Sequence, residues 1–325
     1  VLPRDRYFFG QESDYNEDGV IHVLFSPYVA EVGAAAYFHP CDLMEDPSPT
    51  MGCYYGNHAE MVYYAPPESG MMGSPTAIAE TLAHETSHLI YFHRKFLLND
   101  MATTMENVYV TEAGAALAQD LSGMAAGNFF VTRYGLEQIE EFRLLDILQP
   151  SYGYDPTRDG SLRGNSYLFL RYLYDMNGGE EVQSDGSFVD TGGVAWLNGW
   201  VDSADVGANN VVLHMGEREI NDIAFDFYTC LIMSNRGPDS SPITDEPAYN
   251  FLPTAVDPLT DRLRGADMFM SFRDMFQLSG PATAPIDAHD GTLFSTGVQY
   301  LTFEADGSVT VTVDGGPDAE PWERL

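Results

Sequence analysis

The sequence predicts an α+β fold, and three observations carry that reading. Strand-like runs fill the chain up to about residue 66, helical periodicity takes over from Ser74 to about residue 234, and alternating segments return after Gly280. Three pieces are expected on this basis. Residues 1–104 should form a mainly antiparallel sheet with one long helix. Residues 105–279 should be a helical subdomain, and residues 280–325 a short β-hairpin tail.

Each element has its own warrant. Ile21-His22-Val23-Leu24-Phe25, Ala36-Tyr37-Phe38 and Met61-Val62-Tyr63-Tyr64 are apolar and β-favouring, with turn-rich connections between them. Ser74-Pro75 offers an N-cap followed by proline at the first helical position. Ile78, Leu82, Leu89, Phe92 and Phe96 then recur at helical steps, so a helix should run to about Leu98, where Asn99-Asp100 breaks it. Further helices are expected at about 112–121, stopped by Gly123, and near 135–148, 165–176 and 217–234. Residues 155–164 and 178–193 read as loops. Val298–Phe303 and Ser308–Val313 alternate around Ala305-Asp306-Gly307, which predicts a hairpin.

Composition narrows the function classes. The chain has 325 residues, 44% hydrophobic and 13% aromatic, which is a globular composition with enough length for a sizeable core. Against 49 acidic residues stand 15 basic ones, giving a net charge of −34. Lys95 is the single lysine. So negative a surface repels phosphate backbones and anionic lipid, so neither nucleic acid nor a membrane is an expected partner. No uncharged apolar run is long enough to span a bilayer. Cys41 and Cys53 lie 12 residues apart in a Pro-, Gly- and aromatic-rich stretch and are expected to be bonded. Cys230 should be a buried free thiol.

The informative segment is His84-Glu85-Thr86-Ser87-His88, an HExxH pattern inside the expected helix. Histidines at i and i+4 share one helical face about 6 Å apart, as two ligands of a tetrahedral zinc require. Glu85 follows the first ligand and can reach a water on the metal as general base. A third ligand must come from elsewhere, and Glu112 offers it, in the Thr111-Glu112-Ala113-Gly114-Ala115-Ala116 stretch. Small residues there would let two helix backbones approach closely. Glu106 is the competing carboxylate. Asp14, Asn16 and Asp18 space oxygens as in the first half of a calcium loop, but Phe25 stands where that loop needs its bidentate Glu. A polar turn leading into the strand at Ile21 explains the same residues.

HExxH followed by a Glu-bearing, Ala/Gly-rich helix resembles the gluzincin metallopeptidases, and more specifically the hyicolysin family. The likeness rests on residues 83–90, on Thr111-Glu112-Ala113-Gly114 and on Ser166-Tyr167-Leu168-Phe169-Leu170-Arg171-Tyr172-Leu173, and spans roughly residues 14–235. It implies a zincin-like fold and a secreted bacterial zinc endopeptidase. His84, His88 and Glu112 would be the Zn2+ ligands and Glu85 the base. Tyr167 is the expected oxyanion donor, with His93, His214 and His58 as weaker options. Two departures stand out. Thr111 replaces the Asn common before the ligand Glu, and Ala116 cannot supply the acidic partner that thermolysin-like enzymes place one turn on. The expected substrate is protein or peptide, and the chain is expected to act as a monomer. The competing class is a catalytically silent binding or adhesion protein on the same scaffold. A purely structural acidic protein would explain the charge but not the paired His and Glu.

Overall fold

A helix, not a strand, comes first. Leu2–Phe9 (α1) has proline in its opening turn, and Phe8 and Phe9 are each only 1% exposed. Both join the main hydrophobic cluster, which also draws on helices much later in the chain. The computed structural model describes residues 1–45, 52–71, 73–99, 104–124, 128–150, 153–234, 242–272, 275–285 and 298–302.

The three expected strands form as His22–Phe25 (β1), Ala36–Phe38 (β2) and Met61–Tyr64 (β3), with the short helix Pro27–Glu31 (α2) after β1. Their spatial order is β1-β3-β2. β2 pairs antiparallel with β3, with Phe38 opposite Val62, but β1 pairs parallel with it, Val23 also facing Val62. The sheet is therefore mixed rather than mainly antiparallel. Parallel pairing needs a long crossover, and the stretch holding α2, β2 and the bonded Cys41–Cys53 loop supplies it. β3 is central, with Val62 and Tyr64 fully buried.

The long helix Pro75–Tyr91 (α3) begins where its capping chemistry puts it, with Ser74 Oγ accepting from Ala77 N at 3.1 Å. Such a cap contributes about 1 kcal/mol. The helix then widens into a π-helical turn over Phe92–Leu97. Asn99 closes it, donating from Nδ2 to the carbonyls of Arg94, Lys95 and Asp202. Val108–Leu121 (α4) starts earlier than expected because Asn107 is its N-cap, accepting from Tyr109 N at 2.8 Å. Glu112 thus stands in the second turn of α4 rather than opening it.

Further on, the expected helix near 135–148 is instead Asn128–Glu137 (α5), a short 3-10 turn at Ile139–Glu141, and Leu144–Ile147 (α6). Asp159–Met176 (α7) starts six residues before the expected point. Its glycines misled the reading. A Cβ on Gly164 would lie 1.9 Å from the Val131 carbonyl, so glycine there serves close packing of α7 on α5, not a loop. The supposed loop after Gly178 holds the hairpin Glu180–Val182 (β4) and Phe188–Asp190 (β5). It is followed by two unforeseen helices, Gly193–Asp202 (α8) and Gly207–His214 (α9), then by Ile220–Met233 (α10), which was expected.

Small two-stranded pairs finish the chain: Ala255–Asp257 (β6) with Arg262–Arg264 (β7), and Ser271–Phe272 (β8) with Phe276–Gln277 (β9). Thr283–Pro285 (β10) pairs parallel with Tyr300–Thr302 (β11). The first half of the expected hairpin is therefore a strand with a different partner, and the second half, 308–313, lies outside the described residues. The α+β class holds, and no helix among the described residues is long and apolar enough to cross a membrane.

Buried charge ties these pieces together. Arg171 on α7 contacts Asp120 of α4 at 2.9 Å and Asp175 at 2.8 Å. Arg264 pairs with Glu180 and, at 3.3 Å, with Asp257, which Arg4 of α1 also reaches at 2.6 Å. Removing one partner of such a pair strands the other charge, at a cost of about 3–5 kcal/mol.

α1 also reaches under the HExxH helix. Asp5 is 1% exposed, and burial raises its pKa to about 8. At neutral pH its carboxyl keeps the proton, and the Thr86 hydroxyl donates at 2.6 Å both to Asp5 Oδ2 and to the Leu82 carbonyl. The unfolded chain releases that proton near 3.8, so the Asp5 contribution to stability falls between pH 3.8 and about 8 and is level beyond. Asp5→Asn, whose amide oxygen can accept from Thr86 and which never ionises, should match wild type near pH 4 and exceed its Tm increasingly up to pH 8. Parallel Tm curves for the two proteins across that range would contradict this assignment.

Candidate metal centre

Three side chains from two helices converge at one point. His84 and His88 share a face of α3, and Glu112 approaches from α4. His84 Nε2 lies 3.2 Å from His88 Nε2 and 3.3 Å from Glu112 Oε2, and His88 Nε2 is 3.7 Å from Glu112 Oε1. Ligands at 2.0–2.1 Å around a tetrahedral zinc are about 3.3–3.4 Å apart, so this triangle has the edge lengths of such a site. It is the one cluster of metal-competent His, Cys, Asp and Glu side chains among the described residues. The Glu106 alternative is excluded by position: its carboxylate accepts from Gly207 N at 2.9 Å and Asn107 N at 3.2 Å.

The protonation states fit the same picture. Burial penalises charge on both imidazoles. At His84 the Glu112 carboxylate outweighs it, and the pKa rises above the ordinary 6.5. At His88 burial wins, helped by the positive His84 and Arg163, and the pKa falls to about 4. Burial works against the Glu112 carboxylate too, but its neighbours His84, His88 and Arg163 hold it well below the usual range. The Glu112 carboxylate thus favours a proton on His84, beside a His88 imidazole that burial keeps neutral.

Glu85 stands apart from the triangle. It is 6% exposed, and its Oε2 accepts the Phe38 backbone N–H at 2.9 Å, which ties it to the free edge of β2. Burial, reinforced by nearby Glu112, raises its pKa. All four side chains line a cavity of about 490 Å³, walled by Tyr37 and Phe38 of β2, by Tyr91, Phe92 and Phe96, and by Met105 and Val206. The π-helical turn turns Lys95 inward, where Nζ donates to the carbonyls of Trp200, Ser203 and Asp205 at 3.2, 2.9 and 2.6 Å. That clamp fixes the α8–α9 connection as the far wall.

Several expected residues are placed elsewhere. Tyr167 is 3% exposed, its hydroxyl engaged by Asp120 and Asn128, and it lines a separate smaller cavity. Nor do His93, His214 or His58 line the metal-side cavity. The oxygens of the Asp14–Asp18 segment are spent on their own turn. Asp14 Oδ1 accepts from Gly19 N, Asp18 Oδ1 from Val20 N and Asn16 Oδ1 from Asp18 N. Cys41 and Cys53 form the expected disulfide, and Cys230 is free and buried. The small-residue argument holds only in part. Ala113, Ala115 and Ala116 are buried, but a Cβ on Gly114 would meet nothing within 4 Å.

Two residues that the sequence did not single out reach the site. Arg163 on α7 is anchored by Asp159 through Nε at 2.9 and 3.0 Å, and its Nη1 pairs with Glu112 Oε2. The i, i+4 Asp159–Arg163 spacing was the available signal, hidden because the segment read as a loop. Gln119 on α4 brings Oε1 within 3.3 Å of His84 Nδ1.

A metal entering the triangle must displace the His84 proton. Zinc affinity should therefore fall as pH drops through the His84 pKa, above 6.5, by about tenfold per unit for one displaced proton. Chelator competition at pH 8, 7, 6 and 5 reads this directly, and a pH-independent affinity would contradict the triangle as the binding site. His88→Ala should abolish stoichiometric binding. Comparison with protein-family models and with curated proteins gives no match to this chain.

Proposed function

We propose that the chain is a zinc-dependent endopeptidase acting in an oxidising, extracellular setting. The observation that carries this reading is the metal-sized triangle of His84, His88 and Glu112 beside the buried Glu85 carboxylate, open to one cavity. The Cys41–Cys53 bond supports the compartment, since such bonds persist where thiols are oxidised.

Zinc held by the triangle supplies Lewis-acid polarisation of a peptide carbonyl and brings the pKa of water toward ~7. The protein does the rest. Glu85, fixed by the Phe38 N–H and sheltered from solvent, takes a proton from the attacking water and delivers it to the leaving amine nitrogen. Arg163 takes the donor part first given to Tyr167. Its charged guanidinium lines the same cavity, held through Nε by Asp159 and through Nη1 by Glu112, and its positive charge offsets the negative charge that develops on the carbonyl oxygen. β2, an edge strand among the described residues, lines the same cavity and, with the Phe38 N–H taken by Glu85, offers its other outward backbone groups to an extended peptide by strand addition.

The test pairs two chemically identical substitutions. Glu85→Gln should keep its zinc and lose at least ~10²-fold in hydrolysis of a casein-derived peptide, the scale of general-base loss. Glu112→Gln should instead weaken zinc binding. A Glu85→Gln protein that loses zinc while Glu112→Gln stays metallated would reverse the two assignments. Wild-type protein that is zinc-loaded and hydrolyses nothing would point to the silent binding protein instead.

Arg163→Gln, assayed in zinc-saturated protein, should lower kcat by about 10²–10³-fold, as loss of an oxyanion donor does. Unchanged kcat at full zinc occupancy would remove Arg163 from the chemistry.

A further inference from the structure

We infer that Gln119 is the positioning residue for the metal ligand His84, occupying the place left empty by Ala116. This rests on the reading that the triangle holds a metal. The contact itself is direct: Gln119 Oε1 lies 3.3 Å from His84 Nδ1. A carbonyl oxygen only accepts, so Nδ1 carries the hydrogen. In neutral imidazole that leaves the lone pair on Nε2, the atom that faces His88 and Glu112.

Helix geometry explains why this residue serves. Seven residues on from Glu112 is almost two full turns, so Gln119 returns to nearly the same side of α4. Side chains lean toward the helix N-terminus, which carries a long Gln back over the intervening turn toward Glu112. The His84 ring is held at Nε2 by the cluster and at Nδ1 by Gln119. α4 thereby supplies both a ligand and the group that aims another ligand. The acceptor is a neutral amide rather than a carboxylate. It fixes the tautomer without adding negative charge beside a cluster that already holds Glu112 and Glu85.

The test uses Gln119→Leu, which keeps bulk but cannot accept, and Gln119→Glu, which restores an acceptor. Zinc dissociation constants come from chelator competition, the visible spectrum of the cobalt-substituted protein reports ligand geometry, and Tm is measured in EDTA. Gln119→Leu should bind zinc about 10–100-fold more weakly with a shifted cobalt spectrum, while its metal-free Tm stays near wild type. Gln119→Glu should restore wild-type affinity or exceed it. Wild-type zinc affinity in Gln119→Leu overturns the inference, as does equal weakening in both variants, because an acceptor would then not be the property that matters. A metal-free Tm that falls with affinity in Gln119→Leu and is not recovered in Gln119→Glu overturns it as well. If wild type itself binds no zinc, the metal reading fails rather than this one.

Discussion

The meeting of α3 and α4 at His84, His88 and Glu112 is the constraint to which the surrounding structure answers. Two imidazoles and a carboxylate within 3.2–3.7 Å of one another are costly to hold without something positive between them. The chain meets that cost from several directions at once. Arg163 pairs with one Glu112 oxygen, Gln119 contacts the far nitrogen of His84, and the Glu112 carboxylate raises the His84 pKa. Beneath α3, α1 contributes the protonated Asp5 to Thr86, so the back of the helix carries no extra charge toward the site.

Charge is distributed in the same economical way elsewhere. The protein carries a large negative excess, yet among the described residues three of its 15 basic residues are placed inside. Arg171 and Arg264 are almost fully buried between carboxylates, and Lys95, the single lysine, is 4% exposed and clamped on three carbonyls. Burial lowers the Lys95 pKa to about 8. These buried cations, with Arg4, thus hold α1, α4, α7 and the α8–α9 connection in register around the cavity.

The sequence made the centre legible and much of the frame illegible, for physical reasons. HExxH is readable because helix periodicity alone places His84 and His88 on one side, and Ser74-Pro75 announces the helix start. Glu112 could be chosen over Glu106 only by weighing residue types, and the structure separates them by 3-D position: Glu106 is spent on backbone N–H groups. Aromatic spacing on a helix cannot tell which cavity a side chain faces, and Tyr167 lines the smaller one, its hydroxyl engaged by Asp120. Glycine at 164 read as a loop although it marks a close helix crossing. The parallel pairing of β1 with β3 was hidden because strand patterns carry no direction. Arg163 could be suspected only from its i, i+4 spacing to Asp159, which the loop reading of that segment hid, and Gln119 carried no motif, so tertiary contact reveals it.

The most direct test of the account is where a metal binds. A crystal of the zinc-treated protein, measured on both sides of the zinc absorption edge, should give one anomalous peak about 2.0–2.2 Å from His84 Nε2, His88 Nε2 and a Glu112 oxygen, with Glu85 outside the coordination shell. A peak bound by other residues, or no peak at all while His84, His88 and Glu112 keep their arrangement, would contradict it.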